Sequence, residues 1–198
     1  MGLPLKDHHH HTYGDYLHWS EDVRYELIDG EAYLMVPPAP GLAHQDISGE
    51  IFRQVANALQ GKPCRVFVAP VDVRLPKAIE EEEAVDTVVQ PDVLVVCDET
   101  KLDRRGVRGA PDWVVEVLSP TTAGHDQVKK RRVYEQHGVK EYWLVHPTDR
   151  VLTIYRLAGE EYGKPDVQEL MGETPVGVLP GVIIAWDALA TRLPKPDY

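Results

Sequence analysis

Short segments of alternating or continuous apolar residues predict a chain rich in β-strands. Residues 25–36 predict a hairpin, because the central pair Asp29-Gly30 supplies the positive φ angles that a tight hairpin turn requires. Further apolar segments rich in β-branched side chains predict strands. These predicted strands are 65–75, 88–96, 113–118, 141–145 and 151–157.

Two of these segments, 88–96 and 113–118, are apolar at nearly every position. Both side-chain faces of such a strand are apolar, which is typical of a central strand covered on both sides. A carboxylate within either segment is costly to bury unless a partner compensates its charge.

Apolar residues at helical spacing predict one amphipathic helix over residues 44–59. Residues 126–136 can form a second helix. Thr12 is a favoured N-cap residue and Asp15 stands three residues further on, which predicts a short helix over residues 12–19.

Length and composition indicate one ordinary globular domain. A chain of 198 residues with 43% hydrophobic and 27% charged residues fits a single core. We therefore expect one domain over residues 12–198, preceded by a mobile tail over residues 1–11 that contains His8 to His11. Two cysteines are too few for a disulfide framework, and no signal or membrane-spanning segment is evident, so a cytoplasmic protein is expected.

The net charge of −11 opposes loose capture of nucleic acid, which relies on lysine and arginine. The charge is unevenly distributed, however. Glu80 to Glu83 form an acidic block, whereas Lys129 to Arg132 form a basic one. The local field near the basic block can therefore differ from that of the whole molecule.

Three residues suggest chemistry. Asp92 follows Pro91 at the beginning of a buried apolar run, and Glu116 lies between two valines in the next apolar strand. Adjacent strands can bring these carboxylates together, and together they suit a divalent cation. Lys130 shares a helix face with Asp126 and Tyr134 and can overlook Glu116.

Two carboxylates and a lysine around Mg²⁺ suit phosphodiester hydrolysis. The metal ion lowers the pKa of the attacking water, while the ammonium steadies the charge of the transition state. The alternative for either acid alone is a structural role, in which backbone amides or basic side chains satisfy a buried carboxylate. The residues by themselves leave both alternatives open.

Several ordered motifs resemble one family. The chain from about residue 12 to 190 resembles the Uma-type family of restriction-endonuclease-like proteins. The motifs that carry the resemblance are YELIDGE (25–31), HQ (44–45), APVDV (69–73), VVQPDVLVV (88–96), GAPDWVVEVLSPTT (109–122), D-x-x-x-K-x-x-x-Y (126–134) and GVKEYWLVHP (138–147).

The resemblance implies an α/β (α+β) restriction-endonuclease-like fold of the PD-(D/E)XK nuclease superfamily. Its core would be a mixed central sheet flanked by helices, with the N-terminal β-hairpin added. The order would be a helix, a three-stranded meander, a second helix and a further strand, which agrees with the order of elements predicted from the residues.

The resemblance also assigns site residues. Asp92 and Glu116 would bind the metal ion, together with the backbone carbonyl of Val117. The superfamily lysine is expected two positions after Glu116, where Leu118 stands. The family pattern indicates that this lysine has migrated to Lys130, with the neighbouring Lys129 as the weaker substitute.

Other residues match family motifs without a clear role. Glu31 and His44 are second-tier site candidates. For Glu26, Asp72 and Tyr134 a structural role, such as holding the hairpin or orienting the lysine, is favoured over contact with substrate.

These observations predict a Mg²⁺- or Mn²⁺-dependent endonuclease that acts on DNA and leaves a 5′-phosphate. A homodimer is expected, since two-fold symmetry suits the cutting of both strands of a duplex. The alternative is a non-catalytic nucleic-acid-binding or regulatory module that keeps the nuclease fold. A zinc hydrolase is disfavoured, because the nine histidines show no H-E-x-x-H pairing.

Overall fold

The computed structural model describes residues 3–4, 9–20, 23–35, 41–119 and 123–193. Parts of the predicted tail, the last position of the predicted hairpin and the end of the predicted domain lie outside these ranges. The strands, numbered in chain order, are β1 Leu3–Pro4, β2 Tyr25–Ile28, β3 Glu31–Leu34, β4 Arg65–Val68, β5 Val73–Arg74, β6 Val88–Val89, β7 Val93–Val96, β8 Leu102–Asp103, β9 Gly106–Arg108, β10 Trp113–Val117, β11 Glu141–His146, β12 Val151–Ala158, β13 Glu161–Tyr162, β14 Asp166–Glu169, β15 Glu173–Pro175 and β16 Ile183–Ala185.

Helices are fewer than strands in the described chain, and α2 is by far the longest of them. The α-helices are α1 Tyr13–Tyr16, α2 Leu42–Ala58, α3 Arg131–Gln136 and α4 Asp187–Ala190, and a π-helix, His125–Lys130, leads directly into α3. Short 3₁₀ turns cover Glu82–Ala84 and Glu99–Lys101. The predicted cap of α1 is confirmed, since Thr12 and Asp15 form a reciprocal capping box.

The first sheet has the strand order β1-β3-β2-β6-β5-β9-β8. Its predicted hairpin of β2 and β3 is confirmed, and the turn residues Asp29 and Gly30 have φ angles of 50° and 77°. β1 pairs antiparallel with β3, so residues 3–4 of the predicted tail add a strand to this sheet.

The second sheet has the order β13-β12-β11-β10-β7-β4, and β14 also pairs with β12. β4, β7 and β10 form an antiparallel meander, while β10 and β11 run parallel. The sheet is therefore mixed, as the resemblance implied. β15 and β16 form a separate two-stranded ribbon.

Two predicted strands, 65–75 and 88–96, are wrong as continuous strands. Each divides into two short strands that belong to different sheets: β4 and β5 in one case, β6 and β7 in the other. Pro70 and Pro91 stand at the two breaks. Because proline has no backbone N–H to donate to a strand ladder, the chain leaves one sheet there and enters the other.

Both faces of the second sheet are covered, as the apolar pattern predicted. Ile47, Ile51 and Val55 of α2 pack with one set of side chains from β7, β10 and β11. Val133 and Tyr134 of α3 pack with the opposite set. All residues of β7 and β10 are buried.

A disulfide joins Cys64 and Cys97, which the sequence did not predict. The antiparallel register pairs Arg65 with Val96, so the two cysteines just beyond these ends stand opposite one another. Within the described ranges, none of the helices combines the length and the apolar character needed to cross a bilayer.

Candidate active site

The register of the second sheet brings Asp92 to Glu116. Val93 at the start of β7 pairs with Val115 of β10, so one further step places Asp92 beside Glu116. The backbone N–H of Val117 donates a hydrogen bond of 2.7 Å to Asp92 Oδ2. The Glu116 side chain is 3% exposed and that of Asp92 is 19% exposed, so the pair lies at the edge of the core.

Glu116 receives two hydrogen bonds on one oxygen. Lys130 Nζ lies 3.0 Å from Glu116 Oε1, and the Tyr134 hydroxyl donates to the same oxygen at 2.7 Å. Burial raises the pKa of Glu116 well above its usual range; Lys130 lowers it, and the nearby Asp126, Asp92 and Glu26 add to the rise. Burial and the neighbouring carboxylates thus disfavour the charged form of this group, and Lys130 favours it.

Lys130 is the central cation of the site. Its side chain is only 2% exposed, and its ammonium contacts Glu26 Oε1 at 2.8 Å, Glu116 Oε1 at 3.0 Å and Asp126 Oδ1 at 3.5 Å. Burial alone lowers the pKa of a lysine, but these carboxylates hold the pKa of Lys130 well above its usual value. The ammonium thus keeps its charge in the interior.

Glu26 of β2 joins the first sheet to the site. Its Oε1 accepts from Lys130 and from the backbone N–H of Gln90, the latter at 2.8 Å, and its Oε2 lies 3.1 Å from His125 Nε2. Burial acts to raise the pKa of this fully buried carboxyl, but Lys130 and His125 together lower the pKa to about 2. Glu26 is thus a charged partner of the lysine at neutral pH.

The π-helix explains how His125 reaches this cluster. His125 and Lys130 are five residues apart, which in an α-helix would direct their side chains about 140° away from each other. In a π-helix the hydrogen bonds link residues five apart, so such residues lie on one face. His125 and Lys130 can therefore hold the two oxygens of a single carboxylate, that of Glu26.

His125 and Asp126 were not predicted as site residues. The sequence predicts an α-helix here, and in an α-helix Lys130 shares a face with residues three or four positions away. His125 is five positions away, so this spacing does not place it beside Lys130. Asp126 is the first residue of the D-x-x-x-K pattern, and its four-residue spacing from Lys130 could have identified it as a site residue.

His44 lies at the other side of Asp92. It is carried by the first turn of α2, and its Nε2 is 3.1 Å from Asp92 Oδ2. The Ser48 hydroxyl one turn later donates to the His44 carbonyl at 2.9 Å. Asp92 Oδ2 is thus held between a backbone amide and an imidazole.

Glu31 is not brought to these carboxylates. Its side chain is 52% exposed, accepts a hydrogen bond from the Tyr33 hydroxyl and lies 3.7 Å from Lys129 Nζ. Asp72 is also elsewhere: it accepts hydrogen bonds from Tyr16 and Gln90.

The carboxylates of Asp92 and Glu116 have the oxygen ligands that a hard divalent cation prefers, but they are only two side chains. Asp92 and Glu116 each use one oxygen, Oδ2 and Oε1, for the hydrogen bonds given above. Their other oxygens, Oδ1 and Oε2, accept none of these bonds. The described residues contain no group of three or more His, Cys, Asp or Glu side chains arranged to hold a metal ion, so a backbone carbonyl or water must complete such a site.

The negative charge of this cluster also favours a bound cation. Four carboxylates meet here, those of Glu26, Asp92, Glu116 and Asp126, and all four influence the same lysine or its direct partner. One ammonium cannot neutralise four carboxylates. A bound divalent cation would remove most of the remaining negative charge.

Comparison with known proteins gives two matches in sequence. The model of the Uma2 family, described as "Putative restriction endonuclease", matches residues 13–187. A protein of Synechocystis sp. named "Uncharacterized protein slr1290" is 30% identical over 146 residues, which is 71% of this chain and 71% of that protein.

A solved structure has a similar fold. It is a protein from Anabaena variabilis described as "a putative nuclease belonging to DUF820", and the match has a TM-score of 0.65 at 21% identity. It covers 93% of this chain and 94% of that one. At this identity the likeness concerns the fold alone, which is the mixed α+β arrangement described above.

Proposed function

The chain belongs to the Uma2 family, and on that premise we propose that it is an endonuclease that hydrolyses phosphodiester bonds in DNA with Mg²⁺ or Mn²⁺. The observation that carries the proposal is the pairing of Asp92 and Glu116 at one register position of β7 and β10. In both acids one oxygen is fixed by hydrogen bonds and the other remains for a cation.

In the proposed site, the carboxylates of Asp92 and Glu116 and the carbonyl of Val117 would hold the metal ion. A divalent ion there would supply a water of lowered pKa and would neutralise charge on the phosphate. His44 and the Val117 amide orient Asp92, while Tyr134 and Lys130 orient Glu116. These contacts fix both carboxylates before substrate arrives, which is what metal ligands require.

Lys130 is part of the proposed active site because its ammonium contacts Glu116. Its ammonium offsets the repulsion between Glu26 and Glu116, both of which it touches. Removing it would leave buried carboxylates without a counter-ion, a change that costs about 3 to 5 kcal/mol in buried pairs.

Two parts of the proposal concern partners. DNA is the proposed substrate, and hydrolysis would break the P–O3′ bond, which leaves a 3′-hydroxyl on one fragment and a 5′-phosphate on the other. A homodimer is the proposed assembly, because two sites related by a two-fold axis suit two antiparallel strands. Analytical ultracentrifugation of the protein tests the second part directly.

The test of the activity is nicking of supercoiled plasmid DNA in the presence of Mg²⁺ or Mn²⁺. Glu116→Gln and Lys130→Met are expected to lower the rate by on the order of 10² to 10³, as loss of a group that stabilises charge does in other enzymes. Glu160→Gln, which removes an exposed carboxylate elsewhere, should cut as the native protein does. Native rates in both site variants would overturn the assignment.

A non-catalytic nucleic-acid-binding or regulatory module is the second candidate. It is favoured by the net charge of −11 and by the deep burial of Glu116 and Lys130. Calorimetric titration with Mn²⁺ separates the two. Binding that depends on Asp92 and Glu116 supports the nuclease, whereas no binding at millimolar Mn²⁺ supports the module.

A further inference from the structure

The basic block Lys129 to Arg132 divides into two pairs with different surroundings. Lys130 is buried among three carboxylates, and Arg131 lies 3.5 Å from Glu135 with its guanidinium over the Tyr155 ring. Lys129 and Arg132 are exposed. Lys130 has its charge used inside the protein and Arg131 is partly covered, so Lys129 and Arg132 are the members of the block that are most open to a ligand.

Lys129 is held in a defined position despite its exposure of 44%. Its Nζ lies 4.1 Å from the centre of the Tyr33 ring and donates a hydrogen bond to the Tyr33 hydroxyl. Such a cation–π contact holds the ammonium without neutralising its charge. The cation is therefore preorganised and still able to bind an anion.

Tyr33 connects this cation to the proposed active site. Its ring contacts the His125 ring with a centroid distance of 4.8 Å, and His125 is hydrogen-bonded to Glu26, the partner of Lys130. An anion on Lys129 would thus lie next to Tyr33, whose ring packs on a direct partner of Glu26.

A carboxylate already lies where such an anion would bind. Glu31 Oε2 is 3.7 Å from Lys129 Nζ and accepts from the Tyr33 hydroxyl. Both charged side chains are about half exposed, and ion pairs of this kind contribute about 0 to 1 kcal/mol. A phosphate, which attracts a lysine more strongly than one exposed carboxylate does, can replace Glu31 at little cost.

Arg132 extends this surface along the helix. Its side chain is exposed one helical turn after Lys129. Three helical residues advance about 4.5 Å, so Lys129 and Arg132 are close enough to bind one extended polyanion. Arginine suits this role because its planar group binds phosphate oxygens in pairs.

We propose that Lys129, seated on Tyr33, and Arg132 bind backbone phosphates of the nucleic-acid strand that enters the site, and that the first phosphate displaces Glu31. This inference rests on the proposed nuclease function and names the surface that holds its substrate. It assigns the external contact to Lys129 and the internal charge to Lys130. It also explains how a protein of net charge −11 approaches a polyanion: through one local pair of exposed cations.

The test is fluorescence anisotropy with a labelled DNA duplex over a series of NaCl concentrations, with Ca²⁺ in place of Mg²⁺. Lys129→Ala and Arg132→Ala are each expected to weaken binding and to reduce the slope of log K against log salt by about one. The double variant should reduce the slope by about two. Glu31→Gln is expected to tighten binding, because it removes the competing carboxylate.

Lys62→Ala is the matched control. Lys62 is an exposed lysine just after α2, which covers the opposite face of the second sheet from α3, and its removal should leave the slope unchanged. Thermal unfolding of each variant verifies that the fold is retained. If native protein binds and cuts DNA while the Lys129 and Arg132 variants keep its affinity and slope, the inference is wrong and the nuclease proposal stands. If native protein neither binds nor cuts DNA, both are wrong.

Discussion

Two glutamates that share one lysine have opposite pKa shifts. Glu26 has Lys130, His125 and a backbone amide as partners, and its pKa is lowered to about 2 although its burial acts in the opposite direction. Glu116 shares Lys130 but is surrounded by other carboxylates, and burial raises its pKa well above the usual range. The same ammonium thus contacts two carboxyl groups whose other neighbours move their pKa values in opposite directions.

Glu26 should contribute stability that depends on pH. Its folded-state pKa of about 2 lies below the ordinary value of 4.5, so its contribution is complete above about pH 4.5 and is lost as the pH falls towards 2. A shift of this size corresponds to about 3 kcal/mol. Urea unfolding between pH 3 and 6 is expected to show a stability difference between native protein and Glu26→Gln that shrinks as pH falls.

Glu160→Gln is the control for this measurement, because that carboxylate is exposed and lies away from Lys130. A difference between native protein and Glu26→Gln that stays constant from pH 6 to 3 would mean that Glu26 is not held by Lys130 and His125 as described.

At the scale of elements, the π-helix determines which side chains meet. An α-helix over residues 125–130 would place Asp126 beside Lys130 and would direct His125 elsewhere. The wider turn keeps the Asp126 contact at 3.5 Å and adds the His125 contact to Glu26. Such turns occur often at functional sites, and here the turn completes the support of a buried carboxylate.

His125→Ala is expected to destabilise the protein by about 1 to 3 kcal/mol, because Glu26 Oε2 would lose its hydrogen bond in the interior. Gln127→Ala, an exposed position of the same helix, should change stability by no more than about 0.5 kcal/mol. Urea unfolding at pH 7 compares the two. Equal stability of the two variants would show that the histidine does not support Glu26.

At the scale of the whole molecule, charge is segregated. The chain carries a net charge of −11, and three of its carboxylates, those of Glu26, Glu116 and Asp126, contact one lysine between the two sheets. Both sheets contribute, since Glu26 comes from the first sheet and Glu116 from the second. Asp92 adds to the negative charge around Glu116, so a cation bound by these two acids would reduce the repulsion within the cluster.

Metal binding is accordingly expected to raise the thermal stability of the whole domain. A ligand at a hundred times its dissociation constant adds about 2.7 kcal/mol, which for a domain of this size raises Tm by about 5 to 10 °C. Differential scanning calorimetry with and without Mn²⁺ measures the rise. The double variant Asp92→Asn, Glu116→Gln should show none, and Glu160→Gln should show all of it; the same rise in the double variant would place the ion elsewhere.

The periodic pattern of apolar residues was sufficient to predict the elements whose formation depends on residues close together in sequence. The hairpin at Asp29-Gly30, the amphipathic helix α2 and the buried strand β10 are all confirmed. The motifs also identified the family, which the match over residues 13–187 confirms. The strands 65–75 and 88–96 were predicted wrongly as continuous, because an apolar run alone does not reveal that its two ends belong to different sheets.

The sequence by itself thus determined the mixed fold, its family and the three residues Asp92, Glu116 and Lys130 as candidates. Their part in catalysis is a proposal. Only the tertiary structure decided that Glu26 and His125 join them and that Glu31 lies apart. The physical reason is that pattern and spacing report neighbours within one element, whereas these contacts depend on how two sheets meet and on a helical turn with five-residue spacing.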